Sequence, residues 1–357
     1  MRARATADAT ASAPPRLTIS LVTFNGSRWL DGCLAAVDAL RRARPTEIEL
    51  IVLDNASTDG SLEWLRHRIA DDPRAHLIES TLNLGYAAAH NRIIEQARGP
   101  FVLLLNQDVQ LDEGFAERAL AAFEGRPTVA AVQGQIRRLG ADSTRLDTLD
   151  TTGLQMGRDR RCVSRSQGLP SDAAPATGGP VFGADGPAPV YRRAALIDAR
   201  VPRTRGGWEV LDEDFFMYKE DVDLAWRLKL LGWEAWYEPA ALAWHARSAA
   251  GPPGTGLLAI ARSNQHIPRW IKSLSWRNQR LMQVKNENLT AYLQDLPWIA
   301  RRELLSLGFI VVADPRRLAA IPATLRALPG AMRKRRYLRQ RLDQRAAEPG
   351  HRARIDG

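Results

Sequence analysis

Residues 17–61, LTISLVTFNGSRWLDGCLAAVDALRRARPTEIELIVLDNASTDGS, decide the fold. The apolar run LTISLVTF (17–24) reads as a buried strand. A Gly-containing turn follows, and from Ser27 to Arg42 the residues Leu30, Leu34, Val37 and Leu40 recur at helical spacing. A second apolar run, EIELIVLD (47–54), completes a strand–helix–strand unit. The alternation continues with a helix in SLEWLRHRIA, a strand in AHLIES, a helix from Ala87 to Ala97 and a strand in FVLLLN (101–106). GFAERALAAFEG then reads as a helix and VAAVQGQI as a strand. Such alternation predicts an α/β fold with a doubly wound, mostly parallel, Rossmann-like sheet. Ligands then collect beyond the carboxyl ends of the strands.

The chain has 357 residues, 45% hydrophobic and 25% charged, enough for one large core with an appendage and too apolar for a disordered protein. Cys33 and Cys162 lie far apart without metal-ligand spacing, which excludes a disulfide framework and a thiolate metal site and points to a reducing, cytoplasmic setting. The start, MRARATADATASAPPR, lacks the apolar core of a signal peptide, so residues 1–15 read as a disordered leader. Periodicity fades from Arg137 to Pro189, read as loops and short edge strands over the site. A helix in YRRAALIDA and two short strands, WEAWYEP and ALAWH, follow. These bounds give a catalytic domain at 16–248, a linker at 249–256 and a basic, mostly helical extension at 257–357. Within that extension Leu304 to Ala313 is too short to span a bilayer, which takes about 20 residues, and reads as a buried or an interfacial helix. Net charge is +10. The run AMRKRRYLRQRL gathers Arg333, Lys334, Arg335, Arg336, Arg339 and Arg341, which reads equally as a site for an anionic partner, membrane or nucleic acid, and as a plain solvated helix face.

Three early strands end in acids or amides: TFNGS (Thr23 to Ser27), DNASTDGS (Asp54 to Ser61) and NQDV (Asn106 to Val109). Any one is an ordinary cap or Asx turn; three at one sheet edge make a polar site. Neither G-x-G-x-x-G nor a Walker loop is present, so a bound nucleotide needs another neutraliser for its phosphates. A divalent metal at Asp108 supplies it, since Mg²⁺ takes one or two carboxylates plus substrate phosphates. In FFMYKEDVDLAWRLKLLGW (215–233), Leu224, Leu228 and Leu231 have helical spacing and Gly232 marks the stop. Asp221 is therefore a helix cap, or, with Phe215, Phe216 and Tyr218 buried before it, a wall of the site beside Glu220. Asp223 and Arg227 read as a surface ion pair at i, i+4. Trp208, Trp233 and Trp236 read as core packing or as sugar-stacking residues.

The ordered set VTFN, DNASTDGS, NLGYAAAHN (83–91), LLLNQDV and FFMYKEDVDLAWRLKLLGW…PAALAWH resembles the family 2 glycosyltransferases of the GT-A fold. It is most similar to the rhamnosyltransferase-like branch that builds bacterial cell-surface polysaccharides. The likeness covers Leu17 to His245, and RNQRLMQVKN (277–286) is also similar. It implies an inverting hexosyltransferase that moves L-rhamnose from dTDP-rhamnose, or a hexose from a UDP or GDP donor, to a hydroxyl of a glycan or polyprenyl-linked acceptor. By that resemblance Thr23, Asn25, Asp54, Asn55 and Asp59 bind the base and ribose, and Asn83, Gly85 and Asn91 lie beside the diphosphate. Asn106, Gln107 and Asp108 replace the D-x-D metal motif, with His245 as the second ligand to Mg²⁺ or Mn²⁺. Asp221 is the base, with Glu220 as alternative base or acceptor-binding acid. The basic C-terminal segment then contacts the cytoplasmic face of the inner membrane, with no nucleic acid as partner. Two other classes compete. A sugar nucleotidyltransferase needs a Gly-rich, Arg/Lys-containing loop after the first strand, which TFNGSRW does not match. A non-catalytic membrane or nucleic-acid module is disfavoured by the intact Asp54, Asp108, Glu220 and Asp221.

Overall fold

The protein, described from a computed structural model, is defined over residues 14–44, 47–247 and 268–347. The linker expected at 249–256 and nearly all of the expected leader lie outside the described residues. The opening unit forms β1 (Leu17–Thr23), α1 (Ser27–Ala43), β2 (Ile48–Asp54), α2 (Ser61–Ile69), β3 (Ala75–Glu79), α3 (Gly85–Gln96) and β4 (Phe101–Asn106). β1 pairs in parallel with both β2 and β4, and β2 with β3. Every residue of β2 is buried, as befits a parallel strand covered on both faces.

After β5 (Val109–Leu111) and α4 (Phe115–Ala121) come the long β6 (Val129–Leu139), β7 (Arg145–Thr151), β8 (Leu154–Met156) and β9 (Cys162–Ser164). β10 (Gly179–Val181), β11 (Val190–Arg192), α5 (Arg193–Asp198), β12 (Val201–Pro202), β13 (Trp208–Glu209), α6 (Glu220–Leu230) and β14 (Glu234–His245) follow. The main sheet runs β10-β14-β6-β11-β4-β1-β2-β3, with β5 on β14 and β7 on β6. Two expectations change here. Tyr191 and Arg192, expected to open a helix, belong to β11, which inserts antiparallel between β4 and β6. WEAWYEP and ALAWH fall in one strand, with a register shift against β6 between Glu238 and Leu242 where the two runs meet.

Beyond the sheet stand α7 (Arg269–Asn286), α8 (Leu289–Ala313) and α9 (Ala320–Ala347). Buried charge joins them to the sheet domain. Lys285 on α7 reaches Asp212 and, at 2.8 Å, Asp223. Lys334 on α9 meets Asp212, Glu209 at 2.6 Å and Asp214 at 2.8 Å. Asp223 and Arg227 are therefore no surface pair: both are fully buried. Arg227 also donates to the carbonyls of Ala199 and Val210, and Asp223 accepts from Asn286. The basic run is corrected in the same way. Besides Lys334, Arg335 donates to the carbonyl of Val284, Arg339 to that of Glu287, and Arg341 to Asp198. Four of the six basic residues of the run are thus engaged within the fold, because acids and backbone carbonyls distant in the chain lie beneath that helix.

Candidate active site

Strand register brings the polar residues together. Thr23 at the end of β1 pairs with Asp54 at the end of β2, and the neighbouring Val22 pairs with Asn106 at the end of β4. Asp54 is fully buried; its Oδ1 accepts from the Ser57 amide at 3.0 Å, while Oδ2 is buried without a hydrogen bond. A buried, unsatisfied carboxylate oxygen calls for a ligand donor. Asn106 Oδ1 is orphaned in the same way.

Next to it, Asp108 is buried and its Oδ1 lies 3.3 Å from His245 Nε2. The pairing of β14 with β5 sets this approach, since His245 lies opposite Val109. The other ring nitrogen, Nδ1, is 2.7 Å from Asp150 Oδ2 on β7. Burial works against charge on the imidazole, but the Asp108 and Asp150 carboxylates overcome it and push its pKa up to about 10. Among the described residues no cluster of three His, Cys, Asp or Glu side chains is set to hold a metal. The Asp108 carboxylate is a hard ligand of the kind Mg²⁺ or Mn²⁺ takes together with substrate phosphates, whereas His245, charged between its two carboxylates, would first have to give up a proton to ligate. Asp150 escaped the sequence reading because it lies in DTTG, where no periodicity or motif marks it.

Across the site α6 opens with Glu220 and Asp221. The segment before it is strained: Phe216, Tyr218 and Lys219 all have positive φ, at 64°, 69° and 75°. Such conformations persist only where the surroundings impose them. Asn278 on α7, fully buried, donates its amide to the carbonyls of Phe215, Met217 and Tyr218 at 2.9, 3.0 and 2.9 Å. From the other side the Phe216 carbonyl accepts from the Ala87 amide. Gly85, at φ +78°, has room for no Cβ, which would stand 2.5 Å from the Phe216 ring. The NLG turn and the acids of α6 are thus one packed unit. Of the expected aromatic wall, Phe215 is buried, and Phe216 and Tyr218 are half-buried.

Glu220 is buried and its Oε2 has no hydrogen bond. Burial first, and the Asp221 charge second, raise its pKa to about 8. Burial, then the charge of Asp185, raise Asp221 to about 6, partly offset by the Val222 amide. Asp185, in the FGADG loop, was also not anticipated; its amide donates to Gln133 and its Oδ1 accepts from Gly186. Tyr86 closes this corner, donating to the Gly186 carbonyl at 3.2 Å.

Several expected ligands have their polar groups engaged within the fold. Asn55 accepts from the Leu84 amide and donates to Asn83 and to the Gly85 carbonyl, so it fixes the NLG turn. Asp59 caps α2 through Ser61 and holds the Ser27 amide at 2.9 Å; against burial, these bonds keep its carboxyl well below the usual range. Asn91 is buried away from the strand ends, bonded to Val210, Leu211 and Glu213. The Gln107 oxygen takes the Thr23 hydroxyl at 2.6 Å and the Phe24 amide, and Asn25 accepts from the Thr58 amide. Asn83 accepts from the Gly85 amide at 2.9 Å. Trp233 donates to Asp198, Trp236 lies under Arg126 and Trp208 packs on Tyr337, which are packing roles.

The profile of "Glycosyl transferase family 2" matches residues 18–198, half of the chain. The protein belongs to that family. Its sheet and helices form the GT-A fold. The poly-beta-1,6-N-acetyl-D-glucosamine synthase of Staphylococcus aureus strain COL is 27% identical over 230 residues, 64% of this chain and 49% of that one. The chain thus spans about half the length of the curated relatives it matches. Among solved structures, mannosyltransferase PcManGT from Pyrobaculum calidifontis with GDP-Man and Mn2+ superposes with a TM-score of 0.50 at 18% identity, over 96% of this chain and 85% of that one. S. aureus TarS 1–349 with UDP-GlcNAc gives a TM-score of 0.50 at 16% identity, over 92% and 88%. At such identities the likeness establishes the fold.

Proposed function

We propose that this family 2 enzyme transfers a sugar, with inversion and with Mg²⁺ or Mn²⁺, from a nucleoside diphosphate donor to a hydroxyl of a glycan or polyprenyl-linked acceptor. The first donor to test is dTDP-L-rhamnose, and the setting is the cytoplasmic face of the membrane. The observation that carries the reading is the division of the strand-end site into two parts: a metal-suited Asn106–Asp108–His245 corner and an acidic corner in which Asp221 titrates near neutrality.

Asp54, through its unsatisfied Oδ2, accepts a hydrogen bond from the base or ribose, with Thr23 and Asn25 around it. The positive end of the α3 dipole favours the diphosphate, although the Gly85 and Ala87 amides are already taken by Asn83 and by the Phe216 carbonyl. Asp108, and His245 once deprotonated, would hold the metal, and Gln107 fixes the loop by tying it to β1. When bound, a divalent ion would supply positive charge against that developing on the departing nucleoside diphosphate. Asp221 takes the proton from the acceptor hydroxyl as that oxygen attacks the anomeric carbon, with Glu220 bounding the acceptor. A base with a pKa near 6 is ionised at pH 7 and still basic enough to accept the proton. Single displacement inverts the anomeric centre, as a carboxylate base does in inverting glycosidases.

The test is a thermal-shift panel of dTDP, UDP and GDP sugars with Mn²⁺, since a bound donor raises the melting temperature by mass action. Stabilisation by dTDP-rhamnose that vanishes in Asp108→Ala supports the reading. Stabilisation by another sugar nucleotide alone replaces rhamnose, and turnover unaffected by excess EDTA removes the metal.

A further inference from the structure

α8 presents an apolar surface to solvent. From Leu304 to Val312 every exposed residue is apolar or glycine, with Leu304 70% and Val312 86% exposed. Leu289, Leu293 and Leu296 continue the same helical stripe towards the N-terminus, at spacings of three and four residues. Ile299 and Ile310 are the buried side of the helix. No helix among the described residues is long and apolar enough to cross a membrane. An apolar patch of this extent marks an interaction surface.

Charge identifies the occupant. Between Leu289 and Leu342 the acids are Asp295, Glu303 and Asp314, and each is ion-paired to arginine. Arg301, Arg316, Arg326, Arg333 and Arg336 have no partner among the described residues. Three of them, Arg326, Arg333 and Arg336, line an open groove of about 640 Å³ with Leu325 and Met332. A second copy of the chain, docked symmetrically, sets these charges against each other. A nucleic acid satisfies the arginines and leaves the leucines in water. An anionic lipid surface satisfies both.

We propose that α8 lies in the interfacial plane of an anionic bilayer with its apolar stripe inserted, while the unpaired arginines of α8, α9 and the Pro315–Ala319 turn between them hold lipid headgroups. This deepens the proposal of a membrane-borne acceptor, and it replaces the basic run at 333–341 as the contact with a mixed apolar and basic surface. Its test uses neither donor nor acceptor, so it stands or falls apart from the sugar chemistry.

The full chain is sedimented with vesicles of phosphatidylcholine, with and without phosphatidylglycerol. Wild type is expected to pellet with the anionic vesicles. Leu304→Gln combined with Leu307→Gln should weaken binding at least about tenfold. Arg326→Gln, Arg333→Gln and Arg336→Gln together should weaken it on the order of a hundredfold and remove the dependence on phosphatidylglycerol. All five side chains are exposed, so melting temperatures should be unchanged. Wild type left in the supernatant, variants that bind as wild type does, or concentration-dependent self-association abolished by the leucine pair without vesicle binding would each overturn the proposal.

Discussion

Glu220 and Asp221 are adjacent in sequence, yet burial treats them differently. Glu220, with one oxygen buried and unpartnered, is held near 8, and Asp221, which keeps the Val222 amide, near 6. The rate of transfer should therefore rise with pH through about 6. Asp221→Asn should lower kcat on the order of a thousandfold with little change in donor affinity. A limb at about 8 that disappears in Glu220→Gln would move the proton to Glu220. Both folded pKa values lie above those of the unfolded chain, so the native state binds more protons between about pH 4 and 8. Stability is then fully present below about pH 4 and lost as pH rises through about 8. Glu220→Gln should melt with wild type in acid and above it at pH 9, as measured by calorimetry.

At the scale of elements, the strained turn before α6 is held from two sides, by Asn278 of α7 and by the α3 N-terminus at Gly85. Asn278→Leu leaves three inward carbonyls without their donor and should cost about 1–3 kcal/mol in denaturant melts. Because those carbonyls belong to the segment that delivers Asp221, its kcat should fall more than its donor affinity. Gly85→Ala meets both a positive φ and the Phe216 ring and should destabilise by at least about 1–3 kcal/mol. Pinning of the same kind acts at His245, whose ring Asp150 fixes through Nδ1 so that Nε2 points at Asp108. Asp150→Asn should weaken Mn²⁺ binding about 10–100-fold, read by calorimetric titration in the presence of a nucleoside diphosphate.

At the scale of the molecule, the C-terminal helices are structural partners of the catalytic sheet. Lys285 and Lys334, with Arg227 on Asp223, bridge an acid set of the buried Glu209, Asp212 and Asp223 and the half-buried Asp214. Removing one cation from such a set leaves a charge uncompensated in the interior. Lys334→Met should cost about 3–5 kcal/mol in thermal or denaturant unfolding. Deleting everything beyond Pro329 removes Lys334 together with the inward arginines. That truncation should aggregate or lose its cooperative melt, instead of yielding a folded enzyme that merely leaves the membrane.

The sequence by itself determined the alternation of β1 to β4 and β6 with their helices, the row of polar residues at the strand ends, and the acids at the head of α6. All three are written in local period and turn chemistry, which act over a few residues. Only the tertiary structure decided which residues of that row have atoms left for a ligand. Asn55, Asp59 and Asn91 are engaged within the fold, whereas Asp54 and Asn106 keep a buried oxygen unsatisfied. It alone found Asp150 and Asp185, which no spacing marks, and turned Asp223, Arg227 and four of the six residues of the basic run inward. Such pairings join residues far apart in the chain, 95 positions in the case of Asp150 and His245. Their energies come from burial, which a linear sequence does not carry.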